Sequence, residues 1–294
     1  MGGGGSKSSG GGGVGGGGGE KKVSEAVIAE AQKTGSLDLV GLQLRERLPD
    51  AVCVAGVSHV TEVLAGFNFF TRLPPNLSVF NNLETLRLEG NLLSDLGAVT
   101  AVLGAMGSLT ELGLNGNDLT ALPSDFPVAV SRLEKLELNN NRLRALPETL
   151  GHMGRLEQLS VMGNPLSSLP ESFCQLGALF ELDASCCDLT ALPSDFAKLT
   201  RLMELNLSMN SLVELPSTMG NLTRLVVLHL ADNKLVDLPL SMGFCQMLEV
   251  VSLHRNPIKD EKLQEVLRQP PERMVLFLES RMQDYFATQG IISY

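Results

Sequence analysis

Residues 133–147 read LEKLELNNNRLRALP. Leucine stands at 133, 136, 138, 143 and 146, asparagine at 141 and proline at 147, which gives the template L-x-x-L-x-L-x-x-N-x-L-x-x-L-P. The same template returns as LETLRLEGNLLSDLG at 83–97, LTELGLNGNDLTALP at 109–123, LEQLSVMGNPLSSLP at 156–170 and LFELDASCCDLTALP at 179–193. It continues as LMELNLSMNSLVELP at 202–216, LVVLHLADNKLVDLP at 225–239 and a shortened LEVVSLHRNPI at 248–258. Its asparagine position falls at Asn68, Asn91, Asn117, Asn141, Asn164, Cys187, Asn210, Asn233 and Asn256. From Asn141 onward the step is 23 residues, as it is from Asn68 to Asn91; the steps to Asn117 and Asn141 are 26 and 24. The extra residues fall in GAVTAVLGAMG and SDFPVAVSR, after the strand segment, where they leave a strand ladder undisturbed.

A period of this length means that each unit is one supersecondary element that buries its apolar face only by stacking on its neighbours. Alternate positions of a strand point to opposite sides, so the leucines of L-x-x-L-x-L face the inside of the stack. The prediction is an α/β fold: a curved solenoid with a parallel sheet on its concave side and short helices or 3₁₀ turns on its outer side. Leu150, Met153, Phe173, Leu176, Phe196, Leu199, Met219, Leu222, Met242 and Cys245 are placed on the outer side of that core. The recurring asparagine is read as a structural ladder. Its side chain turns inward and bonds backbone groups that have no sheet partner, because a buried unpaired polar group costs about 1–3 kcal/mol. Cys187 substitutes for the amide at one rung, since a thiol is small, tolerates burial and donates weakly. Cys186, beside it, is expected on the exposed rim.

The chain has 294 residues, 44% of them apolar, enough for a large core. The net charge of −10 argues against a nucleic-acid partner, which requires a basic surface. The sequence contains no apolar run of about 18 residues and no secretory leader, which predicts an intracellular chain with Cys53, Cys174, Cys186, Cys187 and Cys245 reduced. The sequons at Asn76, Asn206 and Asn221 are then chance matches.

Residues 1–19, MGGGGSKSSGGGGVGGGGG, read as a flexible tether with a reach of roughly 25 Å. Its start fits the M-G-x-x-x-[ST] pattern, with Gly2 as the acceptor of a myristoyl group and Ser6 in the required place. One acyl chain gives only reversible membrane binding, to which Lys7, Lys21 and Lys22 would add attraction for an anionic leaflet. A plain flexible tail and an engineered GGGGS-type linker scar are the other readings, the irregular spacing of Ser, Lys and Val speaking against the scar. Residues 20–34 are predicted as a helix stopped by Gly35, and 20–59 as an N-terminal cap with a degenerate first repeat. The repeats occupy 60–260 and a helical C-terminal cap 261–294. In that last segment Met274, Phe277, Leu278, Met282, Tyr285 and Phe286 share one helical face, either a lid on the last repeat or a surface for a partner.

Two rows of strand side chains face outward from the predicted inner wall. The row six before each ladder position carries Glu111, Lys135, Glu181 and Glu204; the row four before carries Arg87, Glu137, Asp183, Asn206 and His229. With His254 near the carboxyl end, these are the candidate partner-binding residues, and the acids among them predict a negative middle that attracts a basic segment. Polarity for solubility alone is the competing explanation. Asp183, His229 and Ser252 lie in one row, but Asp183 is two strands from His229, too far for a hydrolytic triad. No phosphate-binding loop, paired-cysteine metal motif or clustered histidine is present, so no enzyme activity, cofactor, metal or small-molecule substrate is expected.

Residues 60–260 resemble intracellular leucine-rich-repeat proteins of the short L-P class, which includes the Shoc-type and Ras-suppressor scaffolds. The segment AEAQKTGSLDLVGLQL after an MG start is similar to the leucine-rich repeat-containing protein 57 group, from which this chain departs in its long glycine tail and its larger number of repeats. The resemblance implies a cytoplasmic adaptor with no catalytic activity and leaves its partner open; together with the inner wall and the MG start, the expectation is a scaffold that presents its concave face to a protein and returns to membranes through an acyl tail. A soluble regulatory subunit of a signalling enzyme such as a phosphatase is the alternative.

Overall fold

Ten strands of three residues, one per repeat, form a single parallel sheet in sequence order. They are Ser36–Asp38 (β1), Glu62–Leu64 (β2), Thr85–Arg87 (β3), Glu111–Gly113 (β4) and Lys135–Glu137 (β5). The remaining five are Gln158–Ser160 (β6), Glu181–Asp183 (β7), Glu204–Asn206 (β8), Val227–His229 (β9) and Val250–Ser252 (β10). The computed structural model describes residues 23–54, 59–97, 99–269 and 272–288. The glycine tail and Gly2, with Lys7, Lys21 and Lys22, lie outside the described residues.

Strand pairing is in register by repeat: Glu111 pairs with Lys135, Lys135 with Gln158, Gln158 with Glu181, and Glu181 with Glu204. The sheet is open, with β1 and β10 at its ends, and the fold is a leucine-rich solenoid. The central residue of each strand points inward; Leu86, Leu112, Leu136, Leu182, Leu205 and Leu228 are buried. Opposite them lie 3₁₀ turns at Pro75–Val79, Leu103–Ala105, Glu148–His152, Glu171–Gln175, Phe196–Lys198, Met219–Asn221 and Leu240–Phe244. All ten outer-side residues singled out above are buried against the leucines, and Phe173 stacks on Phe196 with ring centroids 6.4 Å apart. The two longer units use their extra residues for α-helical turns, α3 (Val99–Val102) and α4 (Phe126–Ala129), in or beside the place of the 3₁₀ turn, and the N-terminal unit between β1 and β2 carries another, α2 (Asp50–Val54).

One device in each of the nine repeats that carry a ladder residue has no fixed residue type. The position just before the ladder residue is left-handed in all nine units: Phe67, Gly90, Gly116, Asn140, Gly163, Cys186, Met209, Asp232 and Arg255 have φ between 53° and 70°. That kink lifts the chain out of the sheet and swings the next side chain inward. It costs a non-glycine residue roughly 1–2 kcal/mol, so six of the units carry strain that the ladder bonds must offset.

At the N-terminal end α1 (Glu25–Thr34) begins later than the predicted position 20, because Ser24 caps it through Oγ on the Val27 N–H. Gly35, at φ 78°, ends it and returns a backbone bond to Ala31. The helix rests against β1. At the other end α5 (Glu261–Val266) is capped by Asp260, and α6 (Glu272–Thr288) lies over the turn at Leu240–Phe244 and against β10. Met274 and Leu278 are buried there, while Tyr285 and Phe286 meet Phe244 edge-to-face at 5.1 and 5.8 Å. No described helix is long and apolar enough to cross a membrane.

Candidate functional site: the concave face

The ladder fixes the curvature on which the inner wall depends. Asn164 accepts the Leu143 N–H at 3.0 Å and donates to the Leu138 and Val161 carbonyls at 2.9 and 2.8 Å. The same three bonds recur at Asn68, Asn91, Asn117, Asn141, Asn210, Asn233 and Asn256, each amide tying its own loop to the preceding one. Seven of these amides are buried; Asn256, in the last repeat, is half-buried.

Cys187 occupies its rung with two long contacts, Sγ to the Val161 and Ser185 carbonyls at 3.5 Å. Its sulfur takes no bond from the Leu166 N–H of the loop before it. The Leu166 N–H, whose counterparts all reach an asparagine Oδ1, turns instead to the Asn164 carbonyl two residues back, at 2.8 Å. Burial raises the Cys187 thiol above its ordinary pKa, with a backbone bond from Asn164 opposing that shift. Cys186 is exposed, its Sγ 3.4 Å from the Met209 Sδ of the next repeat. Asn76, one of the three sequons, bonds the Leu48 backbone twice and the Cys53 thiol.

The two outward rows stand as the register requires: Arg87, Gly113, Glu137, Ser160, Asp183, Asn206, His229 and Ser252 in one, Glu111, Lys135, Gln158, Glu181, Glu204 and Val227 in the other. The acids of this middle differ in their partners. Arg87 reaches Glu111 at 2.8 Å and Glu89 at 3.6 Å, and crosses a whole strand to pair with Glu137, which Lys135 also holds at 3.2 Å. Gly113 makes this span possible, since a Cβ there would overlap the Glu89 carboxylate and press on the Arg87 side chain. The carboxylates of Glu111 and Glu137 are therefore neutralised in place. Glu89 is half-enclosed by the network, and burial raises its pKa despite the guanidinium beside it.

Beyond β6 the character changes. Glu181 accepts the Gln158 Nε2 at 2.6 Å, and Asp183 is spent on a local turn, accepting the Ser185 N–H and hydroxyl. Asn206 accepts the Ser208 N–H in the same manner. Among the described residues neither Glu181 nor Glu204 is in a salt bridge. His229 is half-buried on β9; Ser252 contacts His254 Nδ1 at 3.2 Å rather than His229. Arg281 of α6, which sequence reading passed over, is buried and makes a two-pronged pair with Asp237, at 3.0 and 3.2 Å. No group of three described His, Cys, Asp or Glu side chains could hold a metal ion.

Residues 107–166 match the family model described as leucine rich repeat. The chain is 37% identical over 118 residues to the probable serine/threonine-protein kinase pats1 of Dictyostelium discoideum, a match covering 40% of this chain and 4% of that protein. It is 38% identical over 85 residues to the leucine-rich repeats and immunoglobulin-like domains protein 3 of Homo sapiens, covering 29% of this chain and 7% of that one. Among solved structures it is similar to the ectodomain of the Arabidopsis thaliana receptor kinase GASSHO1/SCHENGEN3 in complex with CASPARIAN STRIP INTEGRITY FACTOR 2. That likeness has a TM-score of 0.62 and 30% identity over 72% of this chain and 26% of the other. A chain of the Drosophila Toll–Spatzle complex gives a TM-score of 0.64 and 26% identity over 74% and 31%. The chain thus spans a small fraction of the curated relatives it matches and under a third of these solved chains. Its parallel inner sheet, its amide ladder and these matches give it the fold of a leucine-rich-repeat solenoid.

Proposed function

We propose that the chain is a non-catalytic scaffold of the Shoc and Ras-suppressor kind that binds a protein partner on its concave face, and that a myristoyl group on Gly2 returns it reversibly to the cytoplasmic side of membranes. One observation carries the binding reading: a continuous inner wall of ten in-register strands turns two rows of side chains outward, nearly all of them half-buried or exposed. The contacting set is Arg87, Glu111, Lys135, Glu137, Glu181, Asp183, Glu204, Asn206, His229 and His254. Solved relatives of this shape are in complexes with protein or peptide partners, which supports a protein ligand here. The kinase name of one relative belongs to a protein of which this chain matches 4%.

Affinity capture of the full chain from cells tests the surface. Bulky charges introduced by Gln158→Arg, Glu204→Arg and Ser252→Arg together should remove the partners while leaving thermal unfolding in place; an unchanged set of partners would refute concave-face binding. The mass of the N-terminal peptide tests the tether, with one C14 acyl group on Gly2 expected and a free or acetylated glycine contradicting it.

A further inference from the structure

The position seven before each ladder residue, at the entry to each strand and next to the outward row, is exposed or half-buried in all nine of these repeats. It is polar in most repeats: Thr61, Glu84, Thr110, Glu134, Glu157 and Glu249. In three consecutive repeats it is apolar, with Phe180 and Val226 half-buried and Met203 41% exposed. The neighbouring row turns apolar at the same end, with Val227 half-buried and Val250 40% exposed. An apolar strip therefore runs across β7 to β10, about 14 Å by strand spacing, beside the carboxylates of Glu181 and Glu204. The other half of the wall is organised differently: its strand-entry residues are polar, and Glu111 and Glu137 are already held by Arg87 and Lys135.

We infer that the docking site on the concave face is its β7–β10 half and that its occupant is a protein segment carrying cationic and aliphatic side chains together. This rests on the scaffold reading above and narrows it. The charge complementarity selects the occupant: carboxylates without a salt bridge attract Lys or Arg, and they border side chains that only an apolar group covers favourably. A purely basic segment would leave Met203, Val226 and Val250 wet; a purely apolar one would desolvate Glu181 and Glu204 without compensation. The strip's length suits about four extended residues.

A random twelve-residue peptide library displayed on phage, panned on the full chain, tests this with a defined probe. Enriched peptides should combine two or more Lys or Arg with aliphatic or aromatic residues. Fluorescence anisotropy of one such peptide should show at least tenfold weaker binding to Glu181→Lys/Glu204→Lys and to Met203→Ser/Val227→Ser, with Glu62→Lys, in the same row on β2, unaffected. Thermal unfolding of each variant guards against misfolding. Peptides lost equally with Glu62→Lys, peptides indifferent to the β7–β10 variants, or no enrichment would overturn the inference. Partners captured through the other half of the wall would still leave the scaffold reading standing.

Discussion

Replacing Asn164 with alanine tests the ladder where it is most enclosed. Asn164 is 1% exposed and makes one accepted and two donated bonds of 2.8–3.0 Å to backbone groups of two repeats. Each such bond contributes about 1 kcal/mol net, and its buried partner resists being left unpaired, so Asn164→Ala should cost about 3 kcal/mol. Asn256 makes the same three bonds at 2.8–3.0 Å, but at the half-exposed end of the stack, where water replaces what the amide gave up. Asn256→Ala should cost only about 1 kcal/mol. Urea unfolding of the two variants beside the wild type measures both, with equal slopes required before midpoints are compared. Because repeats unfold as coupled neighbours, hydrogen exchange of the Leu138 to Leu143 and Val161 to Leu166 segments should locate the loss in the altered loop. A cost below about 0.5 kcal/mol at Asn164, or an equal cost at Asn256, would refute the reasoning.

Cys187→Asn should stabilise the chain by about 1 kcal/mol, by giving the Leu166 N–H the side-chain acceptor its counterparts have; unchanged or lowered stability in the same unfolding assay would count against this account of the rung. Native alkylation at pH 8 should label Cys186, which is exposed, well before Cys174 and Cys245, whose thiols burial lifts to about 11; peptide mass spectrometry showing equal labelling would contradict it. Glu89 has a raised folded-state pKa, so its protonated form favours folding and its contribution is lost as pH rises through that raised value. Glu89→Gln should therefore gain on the wild type as pH is taken from 4 to 7, a gain absent if the carboxylate were stabilised as an anion.

The ladder and the period were legible because they repeat: eight of nine positions carry the same amide at nearly equal intervals, and no single repeat had to be read alone. The inner rows followed from strand alternation once the period was known. The left-handed residue before each rung was not legible, since Phe67, Cys186, Met209 and Arg255 share no side-chain property and only the three glycines hint at it. Nor was the pairing of Arg87 with Glu137, 50 residues apart, because it needs the missing side chain of Gly113 on the strand between them. Arg281 with Asp237 is a similar case, as α6 must first fold back over the last turns. The apolar strip escaped because a strand's alternation does not say that its entry residue is also exposed or half-buried.

The most direct test of the account places a photo-crosslinking amino acid singly at Val227, Thr85, His152 and Gln175 of the full chain in cells. Protein adducts should form from the inner wall, most from Val227, and not from His152 or Gln175 on the outer 3₁₀ turns. Adducts confined to the outer positions would contradict it.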